Sequence, residues 1–364
     1  VNFVNVLITV AILVAFGIPG YLLRKFKLIG DAAVKGLVVV LIYAAQPATI
    51  AKSFLSLKYS PELGKNILFL TFAFIFVTAA VFFAAAIIFR DWKKRKAQGA
   101  GEGRRAMDNE GQTELGMRNE ELGINVPAAH KEDGVVDSAD SADAAEKAEN
   151  NRLYRFAAMF GNVGFMGLPI IMVLFPENDT VLLYASLCIV LFNIMTWTAG
   201  VWVITGDRKM ISLKKCLLTP VLVTVVVTLP FFFIPESVFA APKPVINFFG
   251  SLSDMTTPLS MIILGARMAE MPFLEIFTDF HIYIVSALKL LLAPALTFAA
   301  LKLFKIDNAD LFNALMIINM MPAAASAMLF AENFLKKAYT GVKAVLFTSV
   351  LCIVTIPLMC LLLM

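Results

Sequence analysis

Charge is the scarcest property of this sequence: only 16% of its 364 residues are Asp, Glu, Lys or Arg, and histidine occurs twice. Without an HExxH run, and with so few histidines, neither a zinc-protease site nor a histidine-based relay is expected. No GxxxxGK(S/T) loop is present to cradle nucleotide phosphates, so ATP is not expected to act directly. The four cysteines, Cys188, Cys216, Cys352 and Cys360, lack CxxC spacing and stand in or beside apolar runs. They read as small packing residues rather than as metal ligands or disulfides. No catalytic group, metal, cofactor or nucleic-acid partner is expected.

Hydrocarbon takes the place of charge. Hydrophobic residues make up 59% of the chain, and its mean hydropathy is +0.80. Runs such as Leu68–Ile88, Val181–Thr205 and Ala344–Met364 carry no charge for about 20 residues, enough to cross a hydrocarbon core of roughly 30 Å as a helix. Lipid offers no partners to backbone groups, so each run must be helical. Ten spans are expected, at 3–23, 34–52, 66–90, 154–175, 181–204, 216–234, 246–268, 282–304, 309–331 and 341–363. The first lacks a basic stretch before it and is followed by Arg24, Lys25 and Lys27, the pattern of a retained helix.

Residues 93–151 change character abruptly, to Gly, Ala, Glu, Asp, Lys and Arg, and cannot bury enough surface to form a core. A disordered or loosely helical insertion is expected there. Lys and Arg concentrate at one set of span ends, including Arg24, Lys93 to Lys96, Arg152, Arg208 and Lys215. That set is expected to face the cytoplasm across a plasma (inner) membrane, with both termini outside.

The second span carries Gln46-Pro47 and the seventh Thr257-Pro258; the fourth carries Asn162 ahead of Pro169, and the ninth Asn319 ahead of Pro322. Pro258 and Pro322 lie 64 positions apart; Pro47 and Pro169 lie 122 apart, or 63 without the 59 residues of 93–151. The chain therefore divides into two five-span repeats: 1–92 (spans one to three) with 152–206 (four and five), and 207–364 (six to ten). Five is odd, so the second repeat is expected to be inverted, a construction found in secondary transporters.

In the fourth span, the run from Phe160 through Gly161, Asn162, Gly164 and Gly167 to Pro169 disfavours a continuous helix, and Ile318-Asn319-Met320-Met321-Pro322 repeats the design in the ninth. Two broken helices crossing near mid-membrane would aim positive helix N-termini at the centre, and the asparagine amides could orient a carboxylate. The alternative is a pair of kinked but continuous helices. Lys289, about 12 Å into the eighth span at 1.5 Å per residue, is either a substrate counter-charge, a proton carrier, or a lysine snorkelling to the headgroups. Asp254 either pairs with a cation or marks the outer interface.

The run Asn162-x-x-Phe165-x-Gly167-x-Pro169 resembles the motif of the auxin efflux carrier family and its bacterial relatives. So do Met321-Pro322-Ala323 with Ala331-Glu332, Ser349 with Thr355-Ile356-Pro357, Gly20-Tyr21-Leu22-Leu23-Arg24, and Pro258 followed by Gly265. The resemblance implies an all-α membrane fold of ten helices in two inverted repeats, related to the bile acid:sodium symporters, with helices four and nine broken and crossed. It implies transport of small organic anions such as dicarboxylates or indole-type acids, with Asn162, Pro169, Asn319 and Pro322 at the crossing. The long loop departs from the plant hormone carriers: they place it between helices five and six, and here it lies between three and four. A bacterial-type member is therefore expected.

The expected protein is a secondary transporter of carboxylates working by alternating access. Its substrate would meet Gln46, Pro47, Gly161, Asn162, Gly164, Pro169, Pro258, Lys289, Asn319, Met320 and Pro322. An H+ or Na+ coupling ion and a homodimer stay open. The rivals are an anion channel or facilitator and a membrane sensor with the insertion as its output.

Overall fold

The computed structural model describes residues 3–90, 136–270, 273–335 and 338–363, and among them every regular element is helical. Six helices are long and apolar enough to cross a membrane: α1 (Phe3–Lys25), α2 (Asp31–Ser56), α3 (Pro61–Ile88), α6 (Asp179–Thr205), α10 (Phe280–Leu303) and α13 (Ala338–Leu363). Between them lie α4 (Val136–Met159), α5 (Val163–Leu174), α7 (Pro220–Phe233), α8 (Lys243–Ser253), α9 (Thr256–Met268), α11 (Ala309–Asn319) and α12 (Ser326–Phe330). The protein is a multi-pass membrane protein.

Four of the expected spans are not single rods. The sixth is bent by 49° where Arg208–Leu217 meets α7. The fourth is interrupted between α4 and α5, and the ninth between α11 and α12, where glycine and proline lead one to expect it. The seventh breaks at Asp254 and Met255, ahead of its proline rather than at it. Pro258 then falls in the first turn of α9, where a missing N–H leaves no helical bond unmade. Other prolines are absorbed without a break. Widened i→i+5 turns at Leu41–Ala45, Val163–Gly167 and Leu288–Leu292 precede Pro47, Pro169 and Pro294, making room for the ring against the turn before it.

The contacts divide the chain into 1–86 with 152–364, and 87–151. In the second unit, 91–135 falls outside the described residues. Residues 136–151 are helical, as the Ala, Glu and Lys of this stretch favour.

Within the first unit, α1 lies against α9 with almost no side chain between them. A Cβ on Gly20 would stand 2.0 Å from the Ile262 carbonyl oxygen, and one on Gly265 would stand 1.9 Å from the Gly17 carbonyl oxygen. Glycine here permits backbone-to-backbone approach. At the end of this pair Arg24 bonds Asp31, and Glu270 lies 3.5 Å from Arg24 and 3.0 Å from Arg267. The ions thus tie the ends of α1 and α9 to the start of α2. Elsewhere α6 packs on α11, whose face from Leu311 to Ile318 forms the most deeply buried part of the core with Tyr184 and Ile189.

Beside the break of the seventh span, hydroxyls replace lost helical order. Thr49 Oγ1 lies 2.8 Å from Ser253 Oγ and 3.1 Å from Thr256 Oγ1, and it donates to the Ala45 carbonyl of its own helix. One turn on, Ser53 donates to Ser186 of α6 at 3.2 Å. All five residues are fully buried. Thr49→Val keeps the shape and removes the bridge between α2 and the broken span. It should lower stability by about 1 kcal/mol, the scale of interhelical hydrogen bonds in membranes. A melting curve of the purified variant in detergent checks this.

Candidate functional site

The two interruptions meet. Residues 160–162 and 322–324 run antiparallel, with Gly161 opposite Ala323. The Asn162 N–H donates to the Pro322 carbonyl at 2.7 Å, and the Ala324 N–H donates to the Phe160 carbonyl at 2.9 Å. Irregular backbone in a membrane must be satisfied by protein, and here each break satisfies the other. Proline suits position 322 because the pairing there needs only its carbonyl. A third bond anchors the pair to α13: the Ala323 N–H donates to Thr348 Oγ1 at 3.0 Å.

Asn162 is the pivot of the first break. Its φ of −77° and ψ of 61°, with the Val163 N–H donating to the Gly161 carbonyl at 2.8 Å, form an inverse γ-turn. Its own carbonyl accepts from Met166 and Gly167 and so starts α5. Its side chain is 2% exposed, and its Nδ2 has no hydrogen-bond partner among the described residues. A buried amide left unpaired costs about 1–3 kcal/mol. That cost is recovered only if something binds.

Asn162 is on the wall of a cavity of ≈ 500 Å³, within the size range of small-molecule sites. Its polar lining comes from Gln46, Asn162, Asn193, Thr196 and Ser326, with Lys215 and Thr219 also on the wall. Thr196 Oγ1 and Ser326 Oγ are also buried without partners among the described residues, so three residues of the cavity wall each hold an unpaired polar atom. The apolar lining includes Phe165, Phe192, Trp197 and Phe330, with Trp197 and Phe330 edge to face at 5.4 Å. The starts of both second half-helices, Val163-Gly164 and Ala325-Ser326, are on the wall as well. The Val163 N–H is taken by the Gly161 carbonyl, and the dipoles of the two helix starts give the cavity a positive bias.

Of the residues singled out from sequence, Gln46, Asn162 and Gly164 line the cavity. The Gln46 amide rests on Gly164, where a Cβ would be 2.6 Å from Nε2. The others lie elsewhere. Asn319 is buried at the end of α11 and spends its Nδ2 on the Leu315 carbonyl at 3.0 Å. Met320 and Pro322 belong to the break itself. Pro47, Pro169 and Pro258 shape helix starts, and none of them lines the cavity. Gly161 faces Lys289, which is 4% exposed and does not snorkel to a surface. Asp254 is exposed at the seventh-span break. Thr196, Ser326, Asn193 and the aromatic wall went unnoticed in the sequence. Only the polar residues of the fifth span, the half-buried Asn193 and the buried Thr196, offered a signal.

No metal-binding group of three His, Cys, Asp or Glu side chains occurs among the described residues, and the four cysteines are buried and free. No curated protein matches the chain. Residues 215–360, running from just before α7 into α13, match the family described as membrane transport protein. The match takes in Lys289, Asn319, Pro322 and Ser349, four positions marked from sequence, and supports the family that the motifs resemble. With its paired breaks and a cavity beside them, the chain is a multi-pass membrane protein whose residues 215–360 are similar to the membrane transport protein family.

Proposed function

We propose that the protein is a secondary carrier of small organic anions, chiefly carboxylates, and that it works by alternating access. The observation that carries this reading is the unpartnered Asn162 amide, 2% exposed, beside two half-helix N-termini on one cavity wall. A carboxylate would accept from Asn162 Nδ2, Thr196 Oγ1 and Ser326 Oγ, three donors that have no other partner among the described residues. Gln46 stands close enough, across Gly164, to complete the set, and Phe192, Trp197 and Phe330 would cover an apolar body. No ionised group has to be neutralised by the substrate for this to work, because N–H dipoles and neutral donors supply the attraction.

In this reading the ten spans form two inverted five-helix repeats, 1–92 with 152–206 and 207–364, in the plasma membrane with the 93–151 segment cytoplasmic. The glycine-seated α1–α9 pair and the hydroxyl-linked α2 and α8 are the frame. The joined breaks move against it. The matched spacing of Pro47 and Pro169 with Pro258 and Pro322 supports the repeat, and the loop charges support the orientation.

Counterflow in proteoliposomes tests the carrier directly. Unlabelled carboxylate trapped inside should accelerate uptake of labelled carboxylate from outside. Uptake indifferent to the trapped substrate, but driven by membrane voltage, would identify an anion channel instead.

A further inference from the structure

Lys289 is a full charge within the apolar run Leu288-Lys289-Leu290-Leu291-Leu292, and the cavity does not use it. It has no ion-pair or hydrogen-bond partner among the described residues and is 4% exposed. Its place is specific. A Cβ on Gly161 would lie 2.9 Å from both Cε and Nζ, and 3.6 Å from Met321 Cβ. The ammonium therefore stands over the backbone where both spans are interrupted, on a face that does not line the cavity.

That face has its own electrostatics. A helix ends with carbonyls that lack amide partners, and each such end carries roughly half a negative charge. Here α4 ends at Met159 and α11 at Asn319. The amides that would have closed their last bonds are diverted: Asn162 N–H to Pro322, Val163 N–H to Gly161, Ala323 N–H to Thr348 and Ala324 N–H to Phe160. The carbonyls of Ala158, Met159, Asn319 and Met320 lose their helical partners in consequence. Two such ends together amount to about one negative charge, and one ammonium is present to meet it.

We propose that Lys289 is a built-in counter-charge of the paired breaks, neutralising the carbonyl ends of α4 and α11 so that the amide ends of the following half-helices act unopposed on the cavity. It is a positioning residue, with no contact to the transported anion. A lysine fits because its point charge sits on a stem long enough to reach from α10, and the apolar neighbours strengthen the attraction. The inference rests on the carrier reading only for its consequence for coupling: a charge tethered at the crossing moves with it, and no cation from solution is needed there.

Thermal melting of the purified full chain without substrate tests the charge balance, whatever the protein carries. Lys289→Met, nearly the same length and neutral, should fold and melt about 5 °C or more below the parent. Lys289→Ala should behave likewise and regain part of the loss in methylammonium, whose compact charge fits the vacated space. Tetramethylammonium at equal ionic strength should restore none, and the parent should respond to neither. A Lys289→Met variant as stable as the parent overturns the proposal, and so does equal rescue by the two cations. If neither neutral variant folds, Lys289→Arg decides: near-parental melting supports the counter-charge, and failure of the arginine variant overturns it.

Discussion

Gly20→Ala and Gly265→Ala are each expected to abolish the folded protein, or to cost about 4 kcal/mol or more, at the far end of what single substitutions do. The added methyl would lie 2.0 Å from the Ile262 carbonyl oxygen in the first case and 1.9 Å from the Gly17 carbonyl oxygen in the second. Both obstacles are backbone, so no rotamer change relieves them, and α1 and α9 would have to move apart along their whole contact. The same substitution at three other helical glycines is a control. Gly17→Ala places its methyl 3.5 Å from the Met261 carbonyl oxygen, an ordinary contact, and Gly36 and Gly250 have nothing within 4 Å. Alanine at those helical positions should be harmless, or stabilising by about 0.5–1 kcal/mol. Fluorescence-detected size-exclusion and melting curves of the five variants measure this. Equal tolerance of all five would show that α1 and α9 do not touch as described.

Asn162→Ala is expected to weaken carboxylate binding about 10- to 100-fold while leaving the empty protein as stable as before, or slightly more so. A hydrogen bond to a charged group contributes about 1.5–3 kcal/mol, and each 1.4 kcal/mol is a factor of ten in affinity. The empty protein loses nothing, because the Nδ2 group has no partner there and its removal relieves an unmet desolvation cost. Asn319→Ala should do the reverse. It removes the bond to the Leu315 carbonyl and should lower stability by about 1 kcal/mol with little change in affinity, since Asn319 does not line the cavity. Titration of the purified variants with small carboxylates, read from the fluorescence of Trp197 in the cavity wall, separates the two effects. A loss of affinity of the same size in both variants would place the anion at the crossing itself rather than in the cavity.

The two asparagines show where sequence reasoning reaches its limit. Each stands in a span beside residues that disfavour a helix, so both are marked equally by composition, and both interruptions are legible from glycine and proline. Which amide is free is another matter. Asn319 donates to the carbonyl four residues back on α11, while Asn162 sits in a γ-turn and its Nδ2 has no partner among the described residues. The break at Asp254 and Met255 was hidden for a related reason. No glycine or proline stands at the break, and the hydroxyls that support it come from α2, some 200 positions away in the chain.

The run of apolar residues by itself determined that this chain lies in a membrane as helices, because backbone in lipid has no other way to satisfy its polar groups. Glycine and proline determined that the fourth and ninth spans are interrupted, since those costs are local. Only the tertiary structure decided that the two interruptions pair with each other, that α1 seats on α9 through glycine, and that Lys289 comes to rest on Gly161 rather than at a surface. Each of these depends on groups far apart in the chain meeting within a few ångströms. Periodicity and composition describe one segment at a time, and only packing brings two segments together.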